Sequence, residues 1–223
     1  MDLKNSLLFL DDLKANNNRE WFLENKKRYD DYKKSYHELI GQFLNEMKPH
    51  DATLEVLEIK NCTFRINRDI RFSKDKSPYK SHCGIWMSTN SNLANAPGYY
   101  IHLERGASFI AGGLYAPEAA ELKKIRKEIA FFYEDLESIL DDTHFKNHFS
   151  GLSITDTNSL KNGPKDFDKN HPAIQYLKLK SFVAVQKIED QTLWSATFVK
   201  DTAEKLVHLK PLLDFLNRGL YSE

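Results

Sequence analysis

Apolar positions recur at helical spacing towards both ends of the chain and at strand spacing through its middle. Leu7, Leu8, Leu10 and Leu13 predict a first helix, capped by Ser6 and stopped at Asn16-Asn17-Asn18. Asn17 followed by Glu20 has the spacing of a capping box, so a second helix is expected from there. Along it Phe22, Tyr29, Tyr32, Tyr36, Leu39, Ile40, Phe43, Leu44 and Met47 recur every three or four residues, up to Pro49. The opposite face, dense in Lys and Asp, reads as solvated surface. Residues 51–62 fit either a strand or a short helix.

The period then changes to two. Phe64, Ile66, Ile70 and Phe72 alternate with Arg65, Asn67, Asp69 and Arg71, which predicts a strand over 64–72, interrupted on its apolar face by Arg68. Three further strands are expected at 85–88, 99–104 and 108–115. The middle one sets Tyr99, Ile101 and Leu103 against Tyr100, His102 and Glu104, and Gly112-Gly113 in the last would admit a bulge or the close approach of another group. Residues 90–98 and the short Arg105-Gly106 connect them, the second as a hairpin, so an antiparallel meander follows. From Pro117 the helical period returns, with Leu122, Ile125, Ile129, Phe132, Leu136, Ile139 and Leu140 as one stripe. A polar connection over 151–169 leads to a short helix from Pro172 through Leu179 and a buried strand at Phe182-Val183-Ala184-Val185. Asp190 is expected to cap a helix through Leu209, and Pro211 to start a last turn near Asn217-Arg218. The fold class is α+β: a mainly antiparallel central sheet with N-terminal and C-terminal helices packed on it, in a single domain over 1–223.

Charge narrows the chemistry. Lys and Arg number 32 and so do Asp and Glu, which argues against a general polyanion binder and confines any positive site to a local patch. Such a patch stands at 64–82, where six cations meet two carboxylates. Side chains on one strand face recur about every 7 Å, so Arg65 and Arg71 would flank Asn67 and Asp69. The guanidinium fork holds phosphate or carboxylate through two bonds at once. Arg65, Arg68 and Arg71 are therefore the candidate anion ligands, with Lys74, Lys76 and Lys80 closing over the anion and Tyr79 or Ser77 adding hydrogen bonds. The competing interpretation is an ion-pair ladder, in which Asp69 pairs with Arg65 or Arg71 and Asp75 with neighbouring lysines. Asp69, His102 and Tyr79 are the groups to test for acid–base chemistry. His82, His102, Glu104 and Asp69 are metal-ligand types, but a histidine beside a sheet is more often a packing residue, and no metal is assigned. The polar run from Gly163 to Pro172 is read as a loop that caps the following helix rather than as a lid over the anion.

No phosphate loop ending in Gly-Lys-Ser/Thr, dinucleotide fingerprint, Gly-x-Ser-x-Gly or His-Glu-x-x-His is present. Two cysteines, Cys62 and Cys83, are too few for a disulfide framework. The start of the chain lacks the pattern of a signal peptide, and no apolar run approaches the roughly 20 residues of a membrane span. A cytoplasmic protein is expected. Its expected partner is a small anionic ligand in preference to nucleic acid, with no membrane, and no cofactor is indicated. A protein or nucleic-acid interaction module using the same basic patch is the alternative.

Several longer motifs carry a resemblance. Asn17-Asn18-Arg19-Glu20-Trp21-Phe22, the run 65–80, Pro97-Gly98-Tyr99-Tyr100, Gly112-Gly113-Leu114-Tyr115, Phe167-Asp168-Lys169-Asn170-His171-Pro172, Lys180-Ser181-Phe182 and Phe215-Leu216-Asn217-Arg218 follow one another along the chain. Together they resemble the domain-of-unknown-function 2461 family of conserved hypothetical proteins. The resemblance implies one domain without a linker and no assigned activity. Arg105 departs from it, standing where a Gly or Pro is expected.

Overall fold

The computed structural model describes residues 2–90 and 96–221. In chain order come α1 (Leu3–Ala15), α2 (Arg19–Glu24), α3 (Lys26–Met47), a 3-10 turn (Ala52–Leu54) and α4 (Ile59–Cys62). Strands β1 (Cys83–Ser88), β2 (Gly98–Leu103) and β3 (Phe109–Leu114) follow, then α5 (Ala119–Phe131), α6 (Tyr133–Asp141), α7 (Thr143–His148) and α8 (Ile174–Leu177). The chain closes with β4 (Phe182–Lys187), a second 3-10 turn (Asp190–Trp194), α9 (Phe198–Val207) and α10 (Lys210–Tyr221). The fold is α+β, with a four-stranded antiparallel sheet in the order β1-β2-β3-β4 and helices packed on it.

Local chemistry corrects several expected boundaries. Asp2, not Ser6, caps α1 by accepting from the Asn5 amide; Ser6 is buried and donates to the Asp2 carbonyl. The long second helix is two helices, because the chain leaves helical geometry at Asn25. Asn18 caps α2 through the Trp21 amide, which releases Asn17 for another task described below. The ambiguous run 51–62 contains no strand; it holds the 3-10 turn and α4, joined by irregular backbone at 55–58. The stripe after Pro117 is likewise broken, at Phe132, whose side chain is exposed while Ile125, Ile129, Leu136 and Leu140 are buried. Asp190 does not cap a long helix; its carboxylate accepts from the Gly106 amide, and only a 3-10 turn starts there. Pro211 sits in the first turn of a twelve-residue helix rather than a final turn. The hairpin at Arg105-Gly106 forms, since the positive φ of 73° falls on Gly106 and Arg105 is free to pair with Asp11 at 2.8 Å. The connection over 90–98 lies largely outside the described residues.

The chain divides into two compact units. The first comprises Met1–Met87, Tyr100–Ile110 and Lys187–Glu204. Its core is built by α1 on α3 through Leu7, Leu10, Leu13, Leu39, Ile40 and Phe43, with Phe43 edge-on to Phe198 at 6.0 Å. The second comprises Ser88–Tyr99, Ala111–Gln186 and Lys205–Glu223. There α10 packs on α5 and α6, burying Leu212, Leu213 and Leu216 with Ile125, Ile129 and Leu136. The loop before α8 is tied by local turns, Asp168 accepting from the Asn170 amide and His171 Nδ1 from the Ala173 amide, but no side chain caps α8 as the sequence suggests.

Period-two alternation along β2 is as the sequence implies. Tyr99, Ile101 and Leu103 are fully buried, and Tyr100 and His102 are half-buried on the other face. In β1 Gly84 shares that second face, in register with His82 just before the strand. A side chain at Gly84 would meet the Tyr100 hydroxyl at 2.9 Å, so the glycine makes room for that ring. The half-polar face of the sheet in the first unit therefore carries His82, Tyr100, His102 and Glu104 together.

Candidate functional site

The expected strand over 64–72 does not form. Its alternation is real, but Phe72 points to solvent (96 % exposed), Phe64 is only partly covered, and only single bridges join Thr63 to Ile85 and Asn67 to Tyr79. Without a continuous partner, the backbone bends into a loop whose base is a short ribbon. The Arg68 amide donates to the Pro78 carbonyl (2.9 Å) and the Lys80 amide to the Ile66 carbonyl (2.8 Å). Asn17 supplies the hydrogen bonds that a strand neighbour would otherwise give. Its amide nitrogen donates to the Tyr79 carbonyl (2.9 Å) and its oxygen accepts from the Tyr79 amide (3.0 Å).

Much of the predicted anion set closes this loop on itself. Arg68 bonds Asp75 and the Ser77 carbonyl (3.0 Å). Arg71 forks onto both oxygens of Asp69, at 3.0 and 2.7 Å. Lys76 reaches the Ile70 carbonyl at 3.0 Å, and Ser77 donates to Asp75 at 2.7 Å. Lys74 is exposed. Bonds from Ser77 and Arg68 pull the Asp75 carboxyl down to about 2, and bonds from Arg71 hold Asp69 below its ordinary value. Tyr79 stacks on Phe22 at 4.1 Å. Asp69, Tyr79 and His102 thus each belong to a different set of contacts.

Arg65 and Lys80 behave otherwise: both line a cleft of about 420 Å³ in the first unit. One wall is α3, whose period brings Tyr29, Tyr32, Lys33, Tyr36 and His37 to the same side. The other wall is the run 63–67 with Lys80, His82 and Gly84, and Lys60 lies at the edge. The Tyr36 hydroxyl fastens the two walls, donating to the Gly84 carbonyl and accepting from the Phe64 amide (3.0 Å). Lys80 donates to the Arg65 carbonyl (3.0 Å) and lies over the Phe64 ring. Burial, then the Arg65 charge, lowers the Lys80 pKa; burial, then Lys33, lowers that of His37. Lys33, Lys60, Arg65 and Lys80 bring four cations to the cleft, and among the described residues no carboxylate lines it. Sequence reasoning treated the α3 tyrosines as core only. The available signal was a helical stripe of tyrosines where leucines would serve a plain core.

Beside the cleft, His82 stacks on His102 (centroids 4.4 Å), which in turn stacks on Phe109 (4.7 Å). His102 Nε2 lies 3.2 Å from Glu104 Oε2 and Nδ1 lies 3.1 Å from the Tyr100 hydroxyl. Lys14 donates to the other Glu104 oxygen at 2.7 Å. Burial raises the Glu104 carboxyl, but the bonds from Lys14 and His102 outweigh it and leave it below its ordinary value. An ionised Glu104 can only accept, which assigns the ring proton to Nε2 and makes Nδ1 an acceptor for Tyr100. Burial pushes the Tyr100 phenol up to about 12. The ligand atoms of His82, His102 and Glu104 all lie within 4.8 Å of one another, the grouping among the described residues best placed to hold a metal ion. Cys83 is no rival ligand, since full burial raises its thiol to about 12.

His82 makes the first unit sensitive to acid. Burial, then the His102 ring, brings its pKa from 6.5 to about 4, against a smaller opposite pull from Glu104. The unfolded chain therefore takes up this proton at higher pH than the folded chain, so stability falls as pH drops from 6.5 through 4. The contribution lost is about 2 kcal/mol, allowing for solvent access to a half-buried ring. Melting temperatures across that range should slope more steeply for the parent than for His82→Asn; parallel curves would refute this.

Fold and site are those of an α+β protein with a cation-lined cleft. The chain belongs to the family of conserved hypothetical proteins DUF2461, whose model matches residues 5–215. No curated protein and no solved structure matches it. No helix among the described residues is long and apolar enough to cross a membrane.

Proposed function

We propose that the protein binds a small anionic, phosphate-bearing ligand in the α3 cleft. The observation that carries this reading is the lining: four cations and no carboxylate among the described residues, in a chain of zero formal charge. Like charges around one cleft repel one another, and a bound anion relieves that repulsion. Arg65 and Lys80 are the principal ligands, because the bidentate fork of one and the half-buried ammonium of the other face the same space. Lys33 and Lys60 serve at the rim, Lys60 in exchange with its exposed partner Glu58 at 2.8 Å. Tyr29, the partly exposed tyrosine of the α3 wall, borders the space left for the remainder of the ligand. Arg68, Arg71, Lys76 and Ser77 shape the loop that carries Arg65 and Lys80.

Calorimetric titration with inorganic phosphate, sugar phosphates, nucleotides and carboxylates tests the reading. A phosphate-bearing compound should bind, and Arg65→Ala and Lys80→Ala should each weaken it by roughly 10- to 100-fold, the range of a lost charged hydrogen bond. Arg71→Ala, already satisfied by Asp69, should leave the affinity unchanged. Silence across the panel, or a loss with Arg71→Ala instead, overturns it. A second reading draws on Phe72, which stands exposed at the loop tip beside Arg71. An aromatic ring among cations suits stacking on single-stranded nucleic acid, so an oligonucleotide belongs in the panel, at low and high salt.

A further inference from the structure

His102 in β2 and Glu104, one residue past its end, are two positions apart and meet on one face, and His82 arrives there from just before β1. The His102 Nε2 to Glu104 Oε2 separation is 3.2 Å. Two ligands on one tetrahedral ion, each at about 2.0–2.2 Å, lie roughly 3.3 Å apart, so that gap has the length of a coordination edge. The atoms not facing the gap are already held from outside: Nδ1 by the Tyr100 hydroxyl and Oε1 by Lys14. Outer partners on the second ring nitrogen and second carboxylate oxygen are what orients metal-bound histidine and glutamate.

We propose that His82, His102 and Glu104 bind one transition-metal ion of the zinc class at the edge of the cleft. Two imidazoles and one carboxylate select Zn²⁺ and its borderline neighbours over Mg²⁺ or Ca²⁺, which take oxygen ligands. The ion takes the place of the single ring proton between His102 and Glu104; that proton passes to Nδ1, which then donates to the Tyr100 oxygen while the phenol proton turns away. In the ion-free arrangement His82 stacks on His102 with an interplanar angle of 28°, so its lone pair runs beside that of His102 rather than meeting it. Capture turns the His82 ring out of the stack. Three protein ligands leave one position open, and His82 lines the cleft, so the ion would lie beside it. One carboxylate does not neutralise a divalent ion, and the surplus charge adds to that of Lys80 and Arg65. The inference does not depend on the anion reading.

The test is zinc titration of the full-length, chelator-stripped protein at neutral pH, followed by elemental analysis after desalting. One equivalent should bind, and His102→Ala and Glu104→Gln should each reduce affinity at least tenfold, since losing even a residue that only hydrogen-bonds a ligand typically costs about 10- to 100-fold. Cobalt(II) loaded into the unaltered protein provides a readout that needs no variant: it should show a nitrogen/oxygen ligand field without thiolate charge transfer. A second histidine group, His144 and His148 stacked on either side of His208 at 5.4 and 5.2 Å, supplies the control. His144→Ala with His148→Ala should leave the stoichiometric site intact. Absence of stoichiometric binding, thiolate bands, or binding that follows His144 and His148 instead of His102 would overturn the proposal. Phosphate titration of the metal-free protein, read against Arg65→Ala, separates failure here from failure of the cleft as an anion site.

Discussion

Gly113→Ala lowers the melting temperature by about 12 °C or prevents folding, while Gly112→Ala, one residue earlier on the same strand, costs a few degrees. Two effects add at Gly113. Its φ of +138° lies where side chains are strained by roughly 1–3 kcal/mol. A Cβ there would also sit 1.9 Å from the Phe182 carbonyl oxygen and 2.8 Å from Val183 Cα. Those are backbone atoms of the neighbouring strand, so relief requires β3 and β4 to separate. Strain and clash together amount to about 4 kcal/mol or more, among the largest effects a single substitution produces. At Gly112 the nearest atom is the end of the Leu209 side chain at 2.7 Å, which can change rotamer, and the Gly98 carbonyl and Leu209 Cβ at 3.3 Å need give only a few tenths of an ångström. Thermal denaturation of the two variants side by side decides it; equal melting points would show that the strands do not approach as described.

Arg218→Met should cost about 2 kcal/mol, below the range for a fully buried ion pair because Arg218 is half exposed. Glu128 on α5 is 4 % exposed, and Arg218 on α10 bonds it through Nε while bonding Asp135 on α6 through Nη2 at 2.8 Å. The guanidinium also lies over the rings of Phe132 and Phe215, at 4.8 and 5.1 Å. Methionine keeps most of the volume, so the loss reports charge rather than a cavity. Glu128→Gln in the Arg218→Met background should recover a good part of it, because the group left behind in the seam is then neutral. A double-mutant cycle by urea denaturation measures this. Additive losses would mean that the two side chains do not act as a pair.

These two cases show where sequence sufficed and where it did not. Gly112-Gly113 announces a close approach, but which glycine is indispensable depends on the register of β4 against β3, a contact between residues some seventy positions apart. Helical stripes were readable because burial follows the 3.6-residue period; the breaks at Asn25 and Phe132 were not, because neither residue is a strong breaker. The alternation over 64–72 mimicked a strand. Only Ile66 and Ile70 use it for partial burial, and Arg68 folds the backbone back onto Asp75 and Ser77. Of the candidate site, Arg65 and Lys80 were legible as cations and His102 with Glu104 as a shared strand face. The α3 tyrosines and the arrival of His82 beside His102 required the tertiary structure, since both arise from packing between distant segments.

The ribbon at 66–68 and 78–80, pinned by Asn17, gives the loop beyond it a firm foot. Loop-closure entropy rises only with the logarithm of length, roughly 0.6 kcal/mol for each doubling. Phe72 at the tip is almost fully solvated, so nothing in the interior registers how far the loop extends. The tip is therefore a grafting point: a fluorescent tag or recognition peptide spliced in there would leave the wall bearing Arg65 and Lys80 standing, and would ride within a short reach of whatever enters the cleft.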